Sequence, residues 1–224
     1  MSYSYFLTGT DTAVGKTFIT CALLHAARQR GLRAAALKPV AAGTDAAGHN
    51  EDVEQIRAAS TIVLPASIIN PYCFSAAVAP HIAAAEENIS IDFGRIVAAC
   101  GVAASQTDLL VVEGVGGFCV PLGADGDSAD LAVLLGLPVI LVVGMRLGCI
   151  NHALLTAEAI GRRKLKIAGW VANRIDPSMP RLEENLAVLN SRLPAPLLGV
   201  VPFDAAADSS RAATYLDLPA DFAL

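Results

Sequence analysis

Gly9-Thr10-Asp11-Thr12-Ala13-Val14-Gly15-Lys16-Thr17 follows the apolar run Tyr5-Phe6-Leu7-Thr8. It opens a stretch of helical spacing, Lys16 to Arg30, that stops at Gly31. A glycine-bounded turn between a buried strand and a helix is the setting a phosphate-binding loop requires. The backbone N–H groups of Thr12, Ala13, Val14, Gly15, Lys16 and Thr17 are placed to surround a β-phosphate. The helix dipole adds positive potential there. In such a loop the lysine, here Lys16, bridges β- and γ-phosphates, and the hydroxyl, here Thr17, ligates Mg²⁺. The spacing departs by one residue from the strict pattern, which places glycine at Thr10. The plainer alternative is an ordinary glycine turn before a helix.

Outward from the loop, apolar runs alternate with amphipathic stretches. Strands are expected at Ala34–Leu37, Asp108–Glu113, Val139–Val143, Ile167–Ala172 and Leu197–Val201. Helices are expected at Ser90–Cys100 with Ser90 as a cap, and at Asp127–Leu135, Asn151–Arg163 and Arg181–Leu193. Continuous rather than alternating apolar runs mark strands covered on both faces. Strands interleaved with helices mark a parallel sheet. The expected fold is therefore α/β: a single-domain, doubly wound, mainly parallel sheet with helices on both faces, over residues 1–224. Ligands of such sheets sit at the carboxyl ends of the strands. That picks out the loops after Thr8, Leu37, Val112, Val143 and Ala172.

The bulk properties agree. Of 224 residues, 54% are hydrophobic and 17% charged, the balance of a packed globule rather than a disordered chain. Net charge is −5 and no run of Lys or Arg stands out, which argues against nucleic acid or an anionic membrane as partner. Mean hydropathy is high, +0.52. Yet the longest apolar stretch, Leu131–Met145, is broken at Gly136-Leu137-Pro138, and Thr61–Ala85 is broken by Pro65, Pro71 and Pro80. The start, Met1 to Tyr5, shows no basic region followed by an apolar block, so no signal peptide is read. Five widely spaced cysteines without a CxxC pair read as small buried hydrophobes in a reducing cytoplasm.

Mg²⁺ takes hard oxygen ligands. Glu113 ends the strand at Val112, where a metal-side acid sits, and Gly114-Val115-Gly116-Gly117 lets backbone approach the triphosphate. Asp52 lies in the loop after the second strand; its plainer role is a helix cap before Val53-Glu54-Gln55-Ile56. Lys38 ends the second strand, in reach of a γ-phosphate or an anionic substrate, with a surface lysine as the alternative.

Taken together, several motifs resemble those of the dethiobiotin synthetases. They are Thr8–Thr17, Leu37-Lys38-Pro39-Val40-Ala41, Asn70-Pro71-Tyr72, Pro80-His81, Val112–Gly117 and Pro138–Gly144. Further on come Leu147-Gly148-Cys149-Ile150-Asn151-His152, Gly169-Trp170-Val171-Ala172-Asn173 and Pro194–Gly199. The resemblance implies an ATP- and Mg²⁺-dependent cytoplasmic ligase of biotin biosynthesis acting on 7,8-diaminopelargonic acid and CO₂. It implies Thr17, Asp52 and Glu113 as metal ligands and Lys38, with Lys16, as the catalytic lysines. Nucleotide contacts are implied for the phosphate loop, Gly114, Val115, Gly116, Asn173 and Arg174, and for the purine segment Pro202-Phe203-Asp204. Substrate contacts are implied for Lys38, Ala41, Ala42 and Pro80. The resemblance also implies that Gly148, Cys149, Ile150 and Asn151 form a helix start that receives the substrate carboxylate across a homodimer interface. Without the resemblance they read as a plain helix start.

Two positions depart from the family pattern. A hydroxyl residue usually follows Lys-Pro-Val-Ala; here it is Ala42, and the N–H groups of Ala41 to Gly43 or the Thr44 hydroxyl are expected to substitute. Asn173-Arg174-Ile175-Asp176 resembles a guanine-reading motif with Arg for Lys, which raises GTP as a second nucleotide. The competing readings are a partner-switching partition ATPase and a small-molecule kinase. The signature lysine of the former falls at Asp11, of opposite charge. The tail Asp217-Leu218-Pro219-Ala220-Asp221 is acidic and interrupted by proline, unlike a membrane helix.

Overall fold

The protein is described by a computed structural model over residues 2–124 and 126–219; Ala220 and Asp221 of the acidic tail lie outside the described residues. In chain order the strands are β1 (Tyr3–Gly9), β2 (Ala34–Leu37), β3 (Val40–Ala42), β4 (Tyr72–Phe74) and β5 (Leu109–Glu113). They continue with β6 (Pro121–Gly123), β7 (Gly126–Asp127), β8 (Val139–Gly144), β9 (Ile167–Asn173) and β10 (Leu197–Val201). The helices are α1 (Lys16–Gln29), α2 (Glu51–Ala59), α3 (Ala66–Ile69), α4 (Pro80–Glu86) and α5 (Phe93–Ala104). After them come α6 (Ser128–Leu135), α7 (Cys149–Arg162), α8 (Leu182–Arg192) and α9 (Ser209–Ala212).

Six strands form one parallel sheet in the order β10-β9-β8-β1-β5-β2. Every residue of β2, β5, β8 and β9 is buried, so both faces are covered, as the continuous apolar runs imply. Each fully buried Leu, Ile, Val or Phe contributes roughly 1.5–3 kcal/mol by leaving water. The order puts β1 between β5 and β8, so the loops leaving these three strands are neighbours. Register sets their heights: Leu7 stands level with Glu113, and Gly9 with Val142.

Small pairs lie outside this sheet. β3 runs parallel to β4, and β6 pairs antiparallel with β7. These short strands, and α3, α4 and α9, fall where the sequence shows prolines and small residues rather than a period.

Helix boundaries differ from expectation where a cap decides them. α5 begins at Phe93, because Asp92 rather than Ser90 accepts the Gly94 N–H, at 2.7 Å, while Ile91 is buried ahead of it. α7 begins at Cys149, two residues early, because Gly148 adopts a left-handed φ of 92° and starts the helix. Asp127 is the cap of α6 in a capping box with Asp130. Among the described residues no helix is long and apolar enough to cross a membrane. All five cysteines are free thiols. Cys21, Cys100 and Cys149 are buried, but Cys73 and Cys119 are exposed, which corrects the reading of all five as buried hydrophobes.

Candidate active site

The phosphate loop closes on itself. Thr10 donates to the Val142 carbonyl across the sheet edge at 3.0 Å. The Asp11 carboxylate accepts the Thr12 N–H, and the Asp11 carbonyl accepts Lys16 Nζ at 2.9 Å. Gly15 adopts φ 85° and starts α1, and a Cβ there would lie 2.2 Å from Asn173 Nδ2. The position therefore requires glycine for both conformation and space. Lys16 and Thr17 are buried at the helix start, where free N–H groups and the helix dipole favour an anion. The Lys16 ammonium is pulled down to about 8, by burial first and then by the Lys38 charge, against the opposing pull of Glu113, Asp52 and Asp11.

Beside the loop stands a cluster of charged side chains. Lys38 follows β2, and its Nζ lies 2.6 Å from Glu113 Oε1 and 2.9 Å from Asp52 Oδ2. Thr17 Oγ1 donates to the same Glu113 oxygen at 2.6 Å. Burial is the strongest single influence on Lys38 and opposes its charge, but Glu113 and Asp52 together outweigh it and hold the ammonium above its ordinary value. Burial likewise raises the Asp52 carboxyl, and the Lys38 ammonium overrides it, leaving Asp52 below the usual carboxylate range. Asp52 is not the helix cap: Asn50 caps α2 by accepting the Val53 N–H, which leaves the Asp52 carboxylate to face Lys38. The backbone of Lys38 is fixed, its N–H to Ile69 and its carbonyl by the Asn70 amide.

Hard oxygens are what Mg²⁺ takes. Thr17 Oγ1, Asp52 and Glu113 present them side by side, and Glu113 Oε2 is buried with no hydrogen-bond partner. A buried carboxylate oxygen left unpaired beside a hydroxyl and a second carboxylate fits a divalent cation. Among the described residues no three His, Cys, Asp or Glu side chains form a metal group by themselves, so a cation here would draw further oxygens from water or a bound ligand.

A cleft of about 1350 Å³ opens over this floor. A single drug-sized ligand occupies roughly 300–1,000 Å³, so the cleft has room for a triphosphate and a second reactant. Thr12, Ala13, Gly15, Lys16, Thr17, Lys38, Ala41, Ala42, Asp52, Pro80, Val115 and Gly116 all line it, which brings most of the expected residues together. A second cavity of about 270 Å³ holds Pro202, Phe203 and Asp204, and Phe18 of α1 borders both.

The remaining expected residues are placed otherwise. Val14 is buried and Gly114 is packed against Phe6. Asn173 borders neither cavity; its amide donates to the Val14 carbonyl at 2.9 Å. Arg174 donates to the Pro177 carbonyl, and Asp176 accepts from the Ser178 N–H and hydroxyl. Asp204 accepts the N–H groups of Ala206 and Asp208 and pairs with Arg211, stiffening its own loop. The Gly43 N–H is committed to the Phe74 carbonyl and is not free to replace a hydroxyl at Ala42. Gly148 to Asn151 stand apart from the cleft lining, beside the 92% exposed Leu147. Arg146, singled out by no motif, pairs with Asp11 at 2.6 Å. Only its charge opposite Asp11 hinted at this.

A parallel sheet with this loop at its carboxyl edge defines a P-loop NTPase. Residues 3–211 match the AAA domain family. Among solved structures, the septum site-determining protein MinD of Pyrococcus horikoshii, complexed with Mg-ADP, superposes with a TM-score of 0.59 at 17% identity, over 95% of this chain and 86% of that one. A ParA family ATPase from Chlorobium tepidum gives 0.58 at 17% identity, over 95% and 89%. These likenesses are of fold alone. The ATP-dependent dethiobiotin synthetase BioD of Aromatoleum aromaticum is 60% identical over 219 residues, 96% of this chain and 97% of that protein. The chain belongs to the dethiobiotin synthetase family.

Proposed function

We infer that this chain is an ATP-dependent dethiobiotin synthetase, a ligase of biotin biosynthesis acting in the cytoplasm, with residues 1–224 as one domain. The observation that carries the reading to chemistry is Lys38. It is a buried ammonium on the floor shared by the phosphate loop and a cleft larger than a nucleotide needs.

The reaction joins two anions. CO₂ adds to one amine of 7,8-diaminopelargonic acid with loss of a proton, giving a carbamate. A carbamate oxygen attacks the γ-phosphorus and the bond to ADP breaks, leaving a carbamic–phosphoric anhydride. The second amine then attacks the carbamoyl carbon, the ureido ring closes and phosphate departs. Lys16 holds the β- and γ-phosphates, and Lys38 neutralises carbamate and transferring phosphoryl as they approach. Thr17, Asp52 and Glu113 would hold Mg²⁺, which when bound offsets triphosphate charge. Positioning and electrostatic stabilisation do most of the work of phosphoryl transfer. Holding two reactants in line contributes up to about 7–11 kcal/mol.

Ala41, Ala42 and Pro80 form the wall on which the diamine lies, and the α7 start binds its carboxylate from a second copy of the chain. The exposure of Leu147 and Leu155 on and beside α7 supports that face as the dimer contact. The nucleotide is ATP, its base in the Phe203 cavity.

The test is phosphate release with Mg-ATP, bicarbonate and diaminopelargonate. Release requires all three, and Lys38→Ala abolishes it. ATP hydrolysis indifferent to the diamine, or a Lys38→Ala variant as fast as wild type, would overturn the reading.

A further inference from the structure

In this structure the cation held by Asp52 and Glu113 is the protein's own. Lys38 Nζ lies within 2.9 Å of Asp52 and 2.6 Å of Glu113, and Thr17 converges on the same Glu113 oxygen. We propose that Lys38 is the resident counter-ion of the metal site. Its ammonium occupies the carboxylate pair until that pair turns to a divalent cation, and is then released into the cleft toward substrate. Loading of the metal site and arming of Lys38 are thus one exchange. This rests on Thr17, Asp52 and Glu113 being the metal ligands.

Three observations carry it. First, Glu113 is 1% exposed, and an ionised carboxylate buried without a cation is strongly disfavoured, so the charged form keeps a cation beside it. Second, an ammonium and a divalent ion sharing the same carboxylates repel each other at contact distance, so one excludes the other. Third, Ile69 and Asn70 hold the backbone of Lys38, its head is tied by the two carboxylates alone, and the residue borders the cleft with Ala41 and Ala42. The head can swing while the chain stays still.

The exchange is tested by Mn²⁺ binding in the presence of ADP, read from the electron paramagnetic resonance signal of free Mn²⁺. Lys38→Met, which removes the competitor, is expected to bind Mn²⁺ about tenfold more tightly than wild type. Lys38→Arg, which keeps the charge, shows no such gain. Glu113→Gln binds Mn²⁺ far more weakly. Unchanged or weaker binding by Lys38→Met, with Glu113→Gln weak, overturns the exchange alone. Wild-type binding by Glu113→Gln overturns the ligand assignment and the exchange with it. A second readout uses the unaltered protein, in case Lys38→Met does not fold. Reductive methylation of Lys38, followed by peptide mass spectrometry, runs several-fold faster with Mn²⁺ and ADP than with ADP and chelator. An equal or slower rate with Mn²⁺ overturns the proposal.

Discussion

The side-chain amide of Asn173 donates to the carbonyl oxygen of Val14 across 2.9 Å, closing the end of β9 onto the phosphate loop. Both groups are buried. The amide thereby braces the phosphate loop. Asn173→Ala leaves the Val14 carbonyl unsatisfied, at a cost of about 1–3 kcal/mol. Chemical denaturation should show that loss. Calorimetry should show weaker binding of ADP and of inorganic tripolyphosphate alike. A defect confined to ligands that carry a base would return Asn173 to the purine pocket.

Gly15→Ala combines a left-handed backbone with a methyl group driven against Asn173. Holding a side chain in that region costs about 1–3 kcal/mol before the clash is counted. The variant is expected to melt lower than wild type and to gain no thermal stabilisation from Mg-ADP. Normal stabilisation by Mg-ADP would contradict the packing described for the loop.

The sheet and its phosphate loop were legible because both faces of β5, β8 and β9 are covered, so their sequences read as unbroken apolar runs. Glu113 stood out as the first charge at the end of such a run. The pairing of Lys38 with Asp52 was not legible as a pair. Fourteen positions separate them, and only the Asn50 cap turns Asp52 inward. The contact of Asn173 with Val14 was not legible because the two lie 159 positions apart, and no local pattern records an amide reaching that far. β3 and β4 escaped notice because three residues are too few to show a period, although they shape the wall beside Ala42.

Ala42 lines the cleft where the family pattern has a hydroxyl. A hydrogen bond contributes about 0.5–1.5 kcal/mol net, a factor of about 2–12 in an equilibrium or rate constant. Ala42→Ser is expected to raise kcat/KM for the diamine within that range and to leave the KM for ATP alone. Steady-state kinetics with each substrate varied in turn decide it, and an unchanged or lower value for the diamine counts against Ala42 facing the reacting amine.

Arg33 binds Asp108 where β2 and β5 begin, and its hydrogen bonds hold the Asp108 carboxyl down at about 2, against an ordinary 3.8. A carboxyl with a depressed folded pKa stabilises the fold above its unfolded pKa. That stabilisation is lost as pH falls through the folded value. Arg33→Ala should therefore be less stable than wild type at pH 6, with the gap closing between about pH 4 and 2. Arg33 is exposed and Asp108 only half-buried, so the difference is small. Urea titrations at pH 6, 4 and 2.5 would show it, and a gap that widens on acidification would reverse the assigned sign.

Burial pushes the thiols of Cys21 and Cys100 up to about 12, and Cys149 is buried, whereas Cys73 and Cys119 are exposed. The thiolate is the reactive species. Iodoacetamide at pH 8 should label Cys73 and Cys119 in the folded protein and spare the other three, as peptide mass spectrometry would report. Labelling of Cys21 at a comparable rate would mean that the cleft wall beside α1 opens in solution.

The levelling of Glu113 with Leu7 sets where this chain tolerates lengthening. Successive side chains of a strand point to opposite faces, so sliding β5 by a single residue would turn Glu113 away from Thr17 and Lys38. One residue added between Asp108 and Glu113 therefore costs activity even if the sheet absorbs it. The same residue added at Gln106, ahead of the strand, changes only a connection. The pleat of β5 thus fixes the aim of the one buried acid on which Lys38 and Thr17 meet.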